Sequence, residues 1–397
     1  MSPIEPSRFT SLAESKNNEV VISVEMPFEN RVNSGLVNNA NNLTKQKKST
    51  KDSLVSTAPV VEEIQIEGSL RPASLEEYIG QPRLKQILKI GIAAAIKRGE
   101  RTSIGHIMLY GPPGLGKTTC AFLLAGLIGS KAHIFSAPSL DKPKDIIGVL
   151  MSLQEGDVLF IDEIHRLNKV TEELLYPAME DYCLDLSTGK GVSARVTRLP
   201  LPKFILVGAT TKLGNISAPM RDRFVQIHKM EFYSEDELSE IALRSAGILN
   251  FQLNEKASRL IARRSRGTPR ITNRLCRLVR DYISHRDAEL ACEELTEEAL
   301  TLFQIDPLGL DNTDRALLEA ITQKYNGGPV GLDTLAATIS EDSKTIEDYY
   351  EPFLMQCGFL ERTPKGRKAT AKAYEYLGYK IPQFLNKDPD SSQLELI

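Results

Sequence analysis

The chain has 397 residues, 41% of them hydrophobic, with a net charge of −3 and five cysteines. That length implies two to three domains with real cores, no stretch approaches the ~20 apolar residues of a membrane span, and so near-neutral a charge excludes a global positive field, leaving any nucleic-acid surface to be local. The cysteines are scattered, odd in number and never in C-x-x-C, which argues against a disulfide framework or zinc knuckle and for a reducing, cytoplasmic setting.

Residues 1–60 are rich in Asn, Ser, Lys and Val and lack sustained periodicity. They read as a disordered extension, with no apolar signal core and too many glutamates for a transit peptide. The folded region opens at Ser69-Leu-Arg-Pro72, and 75–96 carries helical apolar spacing. Next comes a short apolar run, 106–110, that reads as a buried strand. It leads into GPPGLGKT at 111–118 and then into a helical segment over 119–128. Further strand-like runs lie near Val158 and Phe204, with helical patterns between them. That alternation predicts a parallel sheet covered by helices, a large domain over 61–233. Within it, 184–202 has a glycine-rich turn between strand-like arms and reads as a protruding hairpin.

From 234 the pattern turns wholly helical, with segments at 235–246, 254–265, 270–284 and 296–303, so 234–306 reads as a small helical domain. A Pro/Gly-bearing linker at 306–310 precedes a third unit, 307–397, with a loose tail from Pro382. Helical patterns at 313–325, 331–339 and 343–357 are followed there by a hairpin-like segment, 359–370. Helices followed by a basic two-stranded wing predict a winged-helix module. Within the wing stretch Arg362, Lys365, Arg367, Lys368 and Lys372 are opposed only by Glu361, which points to contact with a DNA backbone.

Two motifs carry chemistry. In G-x-x-x-x-G-K-[ST] the glycines let backbone amides approach a polyphosphate; Lys117 reaches the β/γ oxygens and the Thr118 hydroxyl ligates Mg²⁺. Gly111, Gly114, Gly116, Lys117, Thr118 and Thr119 are thus the expected nucleotide-binding residues at the helix start. At the end of the second strand-like run stand Asp162 and Glu163. The first holds the Mg²⁺ shell and the second orients and deprotonates the attacking water, which makes ATP hydrolysis the expected reaction.

With these residues in view, the stretch 70–379 resembles the RuvB family, bacterial Holliday-junction branch-migration motors of the AAA+ class. The resemblance rests on Arg71-Pro with Gly80-Gln-Pro, the phosphate loop, LFIDEIHRL followed by LYPAMEDY, GATT at 208–211 and RDRF at 221–224. It continues through RGTPRI at 266–271, GGPVGLDTLA at 327–336 and GFLERTPKGR at 358–367. It implies a P-loop parallel-sheet domain, an all-helical lid and a winged-helix head.

It further implies that Leu70 and Arg71 pack at the adenine side, and that Glu180, Asp181 and Tyr182 line the nucleotide site. Thr210 and Thr211 resemble a sensor of the γ-phosphate. Arg223 resembles an arginine finger inserted into a neighbouring subunit's site, with Arg221 as its competitor. Tyr233 closes over the nucleotide and Arg270 resembles a second sensor, although core packing and a helix surface are the plainer roles for these two. On the wing, Arg362 and Arg367 touch DNA. The implied activity is an ATP-driven motor, a homo-oligomeric and expectedly hexameric ring on the duplex arms of a Holliday junction. Its implied partners are a RuvA-like junction-binding protein, gripped by the apolar tip of the 184–202 hairpin, and a RuvC-like resolvase. A clamp-loader-like ATPase and a non-motor DNA-binding regulator are the competing classes. Two departures from the family stand out: the amino-terminal extension, and the lack of an arginine near Ser343.

Overall fold

The computed structural model describes residues 69–188 and 195–383. The extension expected to be disordered, nearly all of the tail, and the tip of the hairpin lie outside the described residues.

Helix α1, Pro82–Arg98, starts later than the apolar spacing suggested. Gly80 (φ 77°) and Gln81 (φ 49°) turn the chain through left-handed conformations just before it, and Pro82 occupies the first helical turn, where a missing N–H costs nothing. Gly80 is also dictated by space: a Cβ there would lie 2.4 Å from the Tyr233 ring.

Seven strands follow in the large domain: β1 Ile107–Tyr110, β2 Ala132–Ser136, β3 Val158–Asp162, β4 Cys183–Thr188, β5 Arg195–Pro200, β6 Ile205–Thr210 and β7 Gln226–Lys229. Five of them form one parallel sheet in the order β2-β3-β6-β1-β7. Its central strands are apolar on both faces. Ile107, Leu109, Phe160, Ile205 and Val207 pack into one core, while Met108, Leu159, Ile161, Phe204 and Leu206 pack into the other. Period-two alternation with both sides covered is what a helix-sandwiched parallel sheet requires. The register sets Tyr110 beside Thr210 and Ile161 beside Gly208, so the carboxyl ends of β1, β6 and β3 lie next to one another. Ligands of open parallel sheets bind at such ends. β4 and β5 pair antiparallel as the expected hairpin.

The helical domain comprises Glu235–Ile248, Glu255–Arg263, Pro269–His285 and Glu293–Leu302 around Ala242, Ile261, Leu275, Val279 and Leu300. A capping box between Ser234 and Glu237 starts it. Arg266 ties it to the head. Its buried guanidinium donates to Gly309 O (2.8 Å), Asp311 (3.0 Å) and Asp314 (2.5 Å), and lies over the rings of Tyr349 and Phe353.

The head packs Asn312–Glu319, Leu332–Ile339 and a continuous helical run, Ser343–Thr345, Ile346–Tyr350 and Glu351–Gln356, around Leu317, Leu335, Ile346 and Leu354. The middle turn of that run is π-helical. Strands Leu360–Thr363 and Gly366–Ala369 form the wing, with Arg362 directly opposite Arg367. Helix Ala371–Leu377, which the sequence pattern did not reveal, closes the core with Ala373 and Tyr374. Among the described residues no helix is long and apolar enough to cross a membrane.

Candidate functional site

The loop 111–116 leaves β1 and enters helix α2, Lys117–Ile128, with Gly111, Gly114 and Gly116 all at positive φ. Gly114 is required by close approach: a Cβ there would meet the Arg270 Cβ at 3.0 Å, and Arg270 N donates to Gly114 O at 3.4 Å. The lid segment bearing Arg270 therefore leans on the phosphate loop. Lys117 is buried, and its ammonium donates to Gly111 O (2.8 Å) and Pro112 O (2.9 Å). Burial pulls its pKa down, while the charges of Asp162 and Glu163 oppose that. Thr118 and Thr119 occupy the first turn of α2, whose unpaired N–H groups favour an anion.

Asp162 ends β3, and Glu163 follows in the left-handed region (φ 50°), with its N–H donating to Asp162 Oδ1 at 3.1 Å. Glu163 Oε2 accepts from Thr211 Oγ1 at 3.1 Å. His165 Nδ1 stands 3.1 Å from that same oxygen and 2.8 Å from Thr210 Oγ1. Burial lowers the His165 pKa, against the pull of Glu163. The candidate base is thus held by two groups, one of which, His165, sequence reasoning had not assigned although it sits in the same LFIDEIHRL string. Among the described residues no three His, Cys, Asp or Glu could hold a metal by themselves. A Thr118 hydroxyl and an Asp162 carboxylate do fit Mg²⁺, a hard cation that keeps waters and phosphate oxygens in its shell.

At the opposite side of the loop, Tyr233 is buried, its Oη 3.3 Å from Leu115 O and 3.4 Å from Tyr78 Oη. Burial pushes its phenol up to about 12, so it stays neutral. Its N–H donates to Gly267 O at 2.9 Å, which makes it a pin between loop and lid. Leu70 is buried with its carbonyl accepting from Arg244 of the lid (2.9 Å), and Arg71 lies 5.1 Å over the Phe122 ring of α2. Tyr78 and Arg244 carry no motif and were not foreseen.

The remaining expected nucleotide residues form a second group. Arg223 Nη2 donates to Glu180 Oε2 (3.0 Å) and Nη1 to Pro219 O (2.7 Å), with the guanidinium 4.3 Å over the Tyr176 ring. Its buried Nε has no partner. It is Arg223, not Arg221, whose guanidinium meets Glu180. Asp181 pairs with Arg198 (2.5 Å), and Tyr182 packs edge-on against Phe204. Glu180–Asp181–Tyr182 therefore leads from the helix Lys169–Glu180 into the β4–β5 hairpin beside Arg223.

On the wing the two expected DNA residues part company. Arg362 is half-exposed and donates to Glu347 Oε1 at 2.9 Å. Arg367 is turned inward. It is 8% exposed and its guanidinium engages both oxygens of Glu351, itself buried. That pair must open before the Arg367 side chain can reach a phosphate. Lys365 is exposed at the turn of the wing.

Comparisons with known proteins match the chain in three successive stretches. Residues 70–230 match the Holliday junction DNA helicase RuvB P-loop domain, 233–306 the RuvB AAA lid domain and 307–378 the RuvB C-terminal winged helix domain. The Holliday junction branch migration complex subunit RuvB of Trichormus variabilis is 54% identical over 325 residues, covering 82% of this chain and 88% of that protein. The corresponding Nostoc punctiforme protein is 53% identical, with 84% and 91% covered. The solved structure of the Thermotoga maritima RuvB Holliday junction branch migration motor superimposes with a TM-score of 0.72 at 44% identity, over 79% of this chain and all of that one.

Proposed function

The chain belongs to the RuvB family, and on that premise we infer that it is an ATP-driven motor that branch-migrates Holliday junctions in recombination and repair. The observation that carries the hydrolytic reading is the convergence of three strand ends. Lys117 follows β1, Asp162 and Glu163 end β3, and Thr210 and Thr211 end β6, with Thr211 donating to Glu163. In our reading the loop amides and Lys117 hold the β/γ-phosphates of ATP, and Leu70, Arg71, Tyr233 and Arg270 seat the nucleotide between loop and lid. Thr118 and Asp162 would hold Mg²⁺, which would supply charge neutralisation to the phosphates. Glu163, fixed by Thr211 and His165, orients water and accepts its proton.

Arg223 completes the site of a neighbouring copy, carrying Glu180–Tyr182 with it. Its contact with Glu180 in the same chain supports a side chain directed away from its own phosphate loop. Such sharing calls for a closed homo-oligomeric ring, which we take to be a hexamer. The head then presents Arg362 and Lys365 to duplex DNA. Lid and head, clamped together by Arg266, move as hydrolysis proceeds and translocate the duplex. A RuvA-like protein would deliver the junction and engage the β4–β5 hairpin, and a RuvC-like resolvase would act on the moved junction.

The test is ATP-dependent movement of a labelled four-way junction by the full chain with a RuvA-like partner. Movement that Glu163→Gln abolishes while ATP binding persists is expected. ATP hydrolysis without any junction movement would favour a regulator over a motor.

A further inference from the structure

Lys212 follows the two sensor threonines directly, and its backbone N–H donates to Thr210 Oγ1 at 3.0 Å. Its side chain crosses to the head. The ammonium lies 2.8 Å from Glu347 Oε2 and 3.1 Å from Asp348 Oδ1, both on the π-helical turn Ile346–Tyr350. The other oxygen of Glu347 accepts from Arg362 on the wing at 2.9 Å. One carboxylate therefore carries two cations, one beside the nucleotide-sensing strand end and one on the strand assigned to DNA. Lys212 and Glu347 are 29% and 24% exposed, whereas Arg362 is 53% exposed. The inner pair is thus shielded from salt better than the outer one, and the outer cation is within reach of a phosphate.

We propose that Glu347 is a shared counter-ion through which DNA contact at Arg362 is transmitted to ATP hydrolysis, with Lys212 and Glu347 acting as positioning residues. This rests on the roles given above to Glu163 and Arg362. A DNA phosphate at Arg362 competes with Glu347 Oε1 for the same guanidinium. Relieved of one cation, the carboxylate attracts its remaining cation, Lys212, more strongly. Lys212 is the chain neighbour of Thr211, whose hydroxyl holds the Glu163 carboxylate, so a pull on Lys212 acts on the bond that orients the base. The same turn also meets the lid, since Tyr349 packs on Arg266, next to the Gly267–Arg270 segment that leans on the phosphate loop. A π-helical turn at this junction fits a coupling role, because such turns concentrate at functional sites and mark a helix whose register is locally altered.

A merely structural clip between the domains would hold the head in place and show no dependence on DNA. Glu347→Gln removes the shared carboxylate, leaving Lys212 only Asp348, and Lys212→Met removes the inner cation; the full chain is assayed for ATP hydrolysis with and without saturating duplex. Expected is an unchanged rate without DNA and a stimulated-to-basal ratio that collapses toward one in both variants. DNA affinity of Glu347→Gln should be equal to or tighter than wild type, because a negative charge has left the vicinity of Arg362. Lys212→Arg should retain stimulation. Wild-type stimulation in both broken variants, a parallel fall of basal and stimulated rates, or a wild-type rate indifferent to DNA each overturns the coupling. Failure of the wild-type chain to hydrolyse ATP or move a junction would instead sink the motor reading, so the two failures are distinguishable.

Discussion

Arg367→Ala is expected to act on the folding of the head, whereas Arg362→Ala acts on DNA, although the two residues face each other across the wing. Glu351 is 2% exposed, and both of its oxygens are engaged by Arg367. Removing one partner of such a buried pair strands the other charge and costs about 3–5 kcal/mol. For a unit the size of the head each kcal/mol shifts melting by about 4–8 °C, so its transition should fall by roughly 12 °C or more. Arg362→Ala leaves Glu347 with Lys212 as its partner, and a half-exposed pair is worth only about 0–1 kcal/mol, so melting should hardly move. Replacing both members of the buried pair with apolar residues of similar size, Arg367→Met with Glu351→Leu, should recover most of the loss, because no charge is then left unpaired. Scanning calorimetry of the full chain reads the head transition, and DNA titration well below that transition reads binding. An Arg367→Ala protein with unaltered melting and weakened DNA affinity would refute the reasoning and return Arg367 to the DNA surface.

Lys117→Ala should abolish ATP binding, while Glu163→Gln should bind ATP and stop turnover, since the Asp162 carboxylate survives; nucleotide titration and single-turnover hydrolysis separate the two. Arg223→Ala should leave ATP binding nearly intact and lower turnover by about 10³-fold or more, and mixing it with Glu163→Gln should restore some hydrolysis through interfaces that pair an intact site with an intact finger. No recovery in verified mixed rings would place the finger elsewhere. Arg362→Ala with Lys365→Ala should weaken binding uniformly across DNA sequences and reduce the slope of log affinity against log salt by about 2, as titrations at several salt concentrations would show.

The sheet was legible in proportion to how deeply each strand is buried. β1, β3 and β6 lie at its centre with both faces covered and announce themselves as apolar runs. β2 and β7 are the edges and only partly buried, and their Ala132–Ser136 and Gln226–Lys229 sequences carry no apolar run. The phosphate loop and the Asp162–Glu163 pair were readable because phosphate chemistry demands those residue types at that spacing. Lys212 and Arg244 were not, since each acquires its role from a partner distant in sequence, and His165, though two residues from Glu163, matched no required residue type. The wing shows the same limit. Counting charges along it left Arg362 and Arg367 opposed only by Glu361, yet their carboxylates, Glu347 and Glu351, arrive from a helical run 15 and 16 positions earlier. Those two glutamates stand one helical turn apart and meet the two arginines as a ladder, so one side of the wing is already neutralised before any DNA is considered.

The same contrast between cheap and costly ion pairs bears on how the finger we infer at Arg223 could be held in one subunit and offered to another. Arg223 is fixed by Glu180, whose side chain is 57% exposed, by one carbonyl and by the face of Tyr176. The Arg223 side chain is 19% exposed against 10% for Arg367, so this pair is shallower than the one on the wing, and an arginine finger on a transferring phosphoryl group is worth about 10³–10⁵ in rate. The guanidinium can therefore remain ordered on its own subunit and exchange Glu180 for a neighbour's phosphate at smaller cost than a fully buried pair would exact. A deeper pair, such as Arg367 with Glu351, could not serve in this way, because opening it would compete with the stability of the domain that carries it. A finger such as we infer at Arg223 belongs on the shallower pair and the clamp on the buried one.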